Sequence, residues 1–150
     1  MFSENYSRQT ALASVNNALA MDLTDHELAS LARSEEAKVR AAVAERPNTP
    51  LTSLLLLAQD ISPAVRAGVA RNPRPDLPVE MRQDLAKDKS PEVVYALIEN
   101  PATPDSILSK FTRSFHRDYA SSAKAVIARR KSGATAAAAT PFEVSIVQPS

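Results

Sequence analysis

Leu57–Leu85 reads LAQDISPAVRAGVARNPRPDLPVEMRQDL, and its landmarks recur on both sides of it. The Leu57-Ala58 pair reappears at Leu31-Ala32 and Leu85-Ala86, with a degenerate Phe111-Thr112 beyond. Val65 and Val69 have counterparts in Val39 and Val43, then in Val93 and Leu97. Pro73 matches Pro47 and Pro101, while Pro50, Pro78 and Pro104 each fall seven residues before the Leu or Phe of the next unit. The steps from Leu31 to Leu57, Leu85 and Phe111 are 26, 28 and 26 residues, the longer one carrying a two-residue insertion in NPRPDLP. A fixed period of this size is the signature of stacked supersecondary units.

Each unit reads as two short helices. The first is expected to open on a polar cap followed by proline at the first helical position, as in Thr49-Pro50 and Thr103-Pro104. The second opens at Ser62-Pro63 or Ser90-Pro91 and places one apolar residue per turn. It stops before Arg46-Pro47, Asn72-Pro73 and Asn100-Pro101, because the residue ahead of proline is pushed out of the helical region. Helices of about 8–11 residues are too short to stand alone, so neighbouring units must stabilise them. The fold class is therefore all-α: an α-solenoid of about four repeats across residues 1–131. Leu12, Val15 and Leu19 mark an N-terminal capping helix over about 7–20, and Thr24 with Glu27 forms a capping-box pattern. Phe111, Phe115, Tyr119, Ala123 and Ile127 read as one stripe of a longer terminal helix, a C-terminal cap over about 115–131 ending near Arg130-Lys131. Residues 132–150 read as a disordered tail, whose Phe142, Val144, Ile146 and Val147 are either frayed or a docking motif.

Composition narrows the function. Apolar residues make up 44% of the chain but aromatics only 5%, so the core is aliphatic with Ala at close helix approaches. Two glycines are too few for the turns of a β-rich fold. With no Cys there is neither a disulfide nor a thiolate ligand, which fits a reducing compartment. No apolar run nears the roughly 20 residues of a membrane span, and MFSENYSRQT lacks the pattern of a secretion signal, so a cytoplasmic protein is expected. Residues 1–104 carry 11 Lys and Arg against 14 Asp and Glu, whereas residues 105–131 carry seven against two.

Units with Val-Arg-x-x-Val-Ala, then Pro, Thr-Pro and a Leu-Ala-x-Asp ending resemble the leucine-rich repeat variant family. The first unit carries the match in Val39, Arg40, Val43, Ala44, Pro47, Thr49, Pro50, Leu54, Leu57, Ala58 and Asp60. The second matches through Val65, Arg66, Val69, Ala70, Asn72, Pro73, Leu85, Ala86 and Asp88. The third has Val94 where Arg is expected. The resemblance spans roughly residues 24–111 and implies a right-handed, HEAT-like α-solenoid. Members with an iron–sulfur cluster hold it through N-terminal cysteines, which this chain lacks, so no cofactor is carried over. Repeat folds serve varied partners, so the resemblance implies no particular function.

The residues read against an enzyme. His26 and His116 have no metal-ligating neighbour at helical spacing, and Gly68 and Gly133 cannot build a phosphate loop. Gly68 sits where its repeat-mates are Ala42 and Ala96, which points to close packing. Arg40 and Arg66, with Asp60 and Asp88, read either as a ladder between units or as an exposed basic stripe. The second helices usually line the inner face of such arrays. If Val39 and Val43 face the core, Lys38, Ala41 and Glu45 face outward, with mates Ala64, Ala67 and Arg71, then Glu92, Tyr95 and Glu99. The expected function is a non-enzymatic protein- or peptide-binding scaffold using Lys38, Glu45, Arg71, Glu92, Tyr95 and Glu99, with Tyr95 either an anchor or packed on a neighbour. The alternative is nucleic-acid binding through Lys110, Arg113, Arg117, Lys124, Arg129, Arg130 and Lys131.

Overall fold

The computed structural model describes residues 22–147, with side chains described for 22–133; the capping helix expected over 7–20 lies outside them. The described residues hold eight helices and no strand. They are α1 (Asp25–Leu31), α2 (Ala37–Ala44), α3 (Leu51–Leu57), α4 (Pro63–Arg71), α5 (Val79–Ala86), α6 (Pro91–Glu99), α7 (Asp105–Phe111) and α8 (Arg117–Val147). Contacts divide the chain at Thr103-Pro104 into two compact units, one with α1–α6 and one with α7–α8.

In the first unit α4 packs along α2 on one side and α6 on the other, and these are its most extensive helix pairings. Small residues allow this closeness. A Cβ on Gly68 would lie 2.8 Å from the Ala41 carbonyl oxygen and 3.0 Å from the Ala44 Cβ, so this glycine is a packing residue, as its repeat-mates imply. The expected valine stripes are the core: Val39, Val43, Val65, Val69 and Val93 are all buried, with Leu54, Leu57 and Leu85 contributed by α3 and α5. Thr24 and Glu27 close a reciprocal capping box on α1.

Three local expectations need correction. Pro50, Pro78 and Pro104 are the N-cap residues of their helices rather than the first helical residues. The Thr49 and Thr103 hydroxyls do not cap α3 and α7. They donate backward to the carbonyl oxygens of Val43 and Leu97 at 2.7 and 2.6 Å, adding a second donor to helix-end carbonyls that also accept from the Arg46 and Asn100 N–H groups. Pro63 and Pro91 do open α4 and α6, but the Ser62 and Ser90 side chains make no capping bond; instead their N–H groups donate to Asp60 and Asp88.

In the second unit α7 packs on α8. The single stripe through Phe115 does not form, because the chain turns between Phe111 and Arg117. Phe115 stands in that link, fully exposed, and the buried face of α8 is Ala120, Ala123 and Val126. Phe111 meets Tyr119 edge to face at 6.3 Å. α8 runs on to Val147, past the end expected near Lys131; the side chains of the tail residues from 134 onward lie outside those described.

Candidate binding surfaces

Two polar ladders tie the repeats of the first unit together and decide which side chains remain for a partner. In one, Arg40 grips Asp60 with two bonds of 2.7 and 3.1 Å, and its remaining nitrogen donates to the Ser34 and Glu35 carbonyls. Arg66 repeats this one unit on, gripping Asp88 at 2.7 and 3.1 Å and donating to the Asp60 carbonyl. The planar fork of arginine matches a carboxylate bidentately, which holds the spacing between units. Burial pushes the Asp60 and Asp88 carboxyls up, but the arginine bonds, the Ser62 and Ser90 N–H groups and the arginine charges together hold both below the usual carboxylate value. The ladder, not an exposed basic stripe, is what these residues form.

The second ladder escaped the sequence reading. Asn72 is fully buried, and its amide donates at 2.8 Å to both the Ala44 and the Arg46 carbonyls of the preceding unit. Its oxygen accepts from the Arg74 N–H at 3.0 Å. Asn100 does the same with Ala70, Asn72 and the Ala102 N–H. Asparagine fits because one short planar group supplies two donors and an acceptor to backbone groups just past the helix ends. The sequence signal was present: Asn at the same register twice, always ahead of proline.

Arg82 was also missed. It occupies the register of Leu54 and Leu108 and is only 2% exposed. It donates to the Arg74 carbonyl at 2.6 Å, while its Nε has no partner. Burial lowers its pKa, partly opposed by the charge of Asp76. Arg74 and Asp76 come from the inserted loop NPRPDLP and pair with each other at 2.8 Å.

The predicted partner row lies on α2, α4 and α6. Lys38, Glu45, Arg71, Glu92 and Glu99 are exposed and Tyr95 is half-buried. Glu45 and Arg71, one period apart, pair at 2.6 Å with nearly half of each side chain in solvent. Ala67, read as outward-facing, is instead fully buried, because the close approach of α4 to its neighbours covers the middle of its outer side.

On the other helices a groove of 180 Å³ opens between α3 and α5, lined by Leu55, Ala58, Gln59, Pro78, Met81 and Leu85. Leu55 on its edge is 48% exposed. In the second unit Lys110, Arg113, Arg117, Lys124, Arg129 and Lys131 are exposed, whereas Arg130 is held by Asp105 at 2.7 Å. Arg117, Lys124 and Lys131 recur every seven residues and share one stripe of α8. Among the described residues no helix is long and apolar enough to cross a membrane.

No curated protein and no solved structure gives a significant match to the chain. Residues 37–60, from the first residue of α2 to the Asp60 rung, match the family model described as leucine rich repeat variant.

Proposed function

We propose that this chain is a non-enzymatic, cytoplasmic helical-repeat scaffold that holds a protein or peptide segment along the α2–α4–α6 row. The observation that supports this is a division of labour among registers. Registers filled alike from unit to unit, Arg40 with Arg66 and Asn72 with Asn100, spend their polar groups on the fold. The registers along the row change from unit to unit and stay exposed: Glu45, Arg71 and Glu99, or Lys38, Ala64 and Glu92. Variation on a constant scaffold is how repeat proteins acquire partner specificity. Tyr95 supplies apolar contact at the row, and the flanking charges set orientation and association rate. A photo-crosslinking residue at position 95 should yield a discrete adduct in extract of the native host, competed by unlabelled protein and reduced at least tenfold by Arg71→Glu. Adducts from position 124 with none from position 95 would defeat this reading.

The exposed stripe Arg117, Lys124 and Lys131 favours a second reading, phosphate contact with a nucleic acid. Its check is the salt slope of RNA or DNA binding, expected to flatten in Lys124→Glu.

A further inference from the structure

Phe115 is the most exposed large apolar side chain among the described residues, with a relative exposure of 103%. It stands at the apex of the link before the second helix, a register held elsewhere by Glu35, Ile61 and Lys89, all exposed. The His116 N–H donates to the Ser114 hydroxyl at 3.1 Å, and the His116 ring lies 5.0 Å from that of Tyr119, which in turn packs on Phe111. Arg113 and Arg117 flank the apex, both exposed and neither paired with a carboxylate among the described residues. The result is an exposed aromatic knob with an exposed arginine two residues away on each side in the sequence.

The α3–α5 groove has the opposite character. Its floor is Leu55, Ala58, Met81 and Leu85, and its 180 Å³ is on the scale of one large side chain. Glu80 and Asp84 line it, both exposed and neither paired with a cation among the described residues. The third carboxylate there, Asp88, is occupied by Arg66. No Lys or Arg of α1, α3 or α5 is exposed, since Arg82 is buried, so nothing on these helices offsets the acidic rim. The groove exists because α2, α4 and α6 pack closely through Ala and Gly while α3 and α5 stand further apart.

We propose that the occupant of this groove is a second copy of the chain: Phe115 of one copy seats between α3 and α5 of the next, with Arg113 and Arg117 meeting Glu80 and Asp84. Knob and groove are different surfaces, so the contact is heterologous and each copy can both give and receive. A single aromatic anchor with a small charged rim is far below the roughly 800 Å² per partner of a standard interface, so the association is weak and concentration-dependent. Its rim is solvent-exposed, so added salt weakens it.

The experiment is sedimentation velocity on the full chain from roughly 10 µM to 1 mM, the range suited to a small interface. The expected result is a weight-average mass that rises with concentration and falls back in roughly 0.5 M salt, where the Debye length is only about 4 Å. Phe115→Ser, at a fully exposed position, should leave the thermal melt unchanged and weaken association at least tenfold. Glu80→Lys/Asp84→Lys and Arg113→Glu/Arg117→Glu should each be monomeric alone and associate when mixed. A mass that stays monomeric throughout overturns the proposal. So does association that survives Phe115→Ser, or charge-reversed variants that remain apart on mixing.

Discussion

The α1–α6 array and the α7–α8 pair present the same repeat registers but are held by different forces. In the array, the registers of Arg40 and Asn72 carry hydrogen-bonding side chains that reach one period away. In α8 those registers are Ala120 and Val126, both buried. The Asp60 register becomes Ser114, and the third arginine position is already Val94. A ladder residue is stabilising only while the neighbouring unit offers the matching group; without it, a buried donor is left unmet. Replacing polar by apolar residues at the same registers removes that liability. It also removes the Asn-Pro stop, since Val126 is followed by Ile127, and α8 continues where α4 and α6 end.

The strongest way to break this contrast is Asn72→Ala. It strands the buried Ala44 carbonyl and the part-buried Arg74 N–H, and takes one of two donors from the Arg46 carbonyl, which keeps the Thr49 N–H. We expect a loss of about 3 kcal/mol, each stranded group costing on the order of 1 kcal/mol or more. Calorimetry should show a fall of roughly 10 °C. Val126→Ala, a plain apolar truncation at the same register in α8, should cost only about 1 kcal/mol. Equal losses in the two variants would erase the distinction between the regions.

Asp88→Ala tests the other ladder with a smaller effect, about 1–2 kcal/mol, since Arg66 keeps its bond to the Asp60 carbonyl and some access to water. Its signature is its pH dependence. The folded-state pKa of Asp88 lies below the unfolded one. The stabilisation is therefore full above about pH 4, the ordinary carboxylate range, and is lost as pH falls through the native value. Melts of the parent and the variant should converge on acidification from pH 7 to pH 3. A gap of constant size would show that the carboxylate charge is not what the rung uses.

What could be read from the chain alone divides along similar lines. The helices, their prolines and the valine core follow from local spacing, and local spacing is visible in a single sequence. The Arg–Asp ladder was legible because opposite charges recurred at fixed registers. Asn72 and Asn100 were read only as helix stops, since their partners lie 26 to 30 residues earlier and are backbone groups with no sequence signature. Phe115 failed because 3.6-residue periodicity runs unbroken across a link that the backbone does break. The α3–α5 groove arises from unequal helix spacing, which no register of residues records.

Arg82 sharpens the comparison from inside the array. It stands at a leucine register in the unit with the inserted loop, buried, with one bond to the Arg74 carbonyl and an Nε that bonds to nothing. Desolvating a guanidinium is costly, and no carboxylate bonds it directly; Asp76 acts on it only through its charge, being itself held by Arg74. Arg82→Leu would place at this register the residue found at Leu54 and Leu108, removing the unmet donor and releasing only the Arg74 carbonyl. Replacing a buried charge by an apolar side chain of similar volume is often neutral to stabilising, so a gain of about 1 kcal/mol is expected, a rise of roughly 4 °C in thermal midpoint. A fall of the same size would mean that the Arg82 bond to the inserted loop outweighs its desolvation. The loop would then be a structural brace of the middle unit, and the array would depend on a polar contact that its period does not repeat.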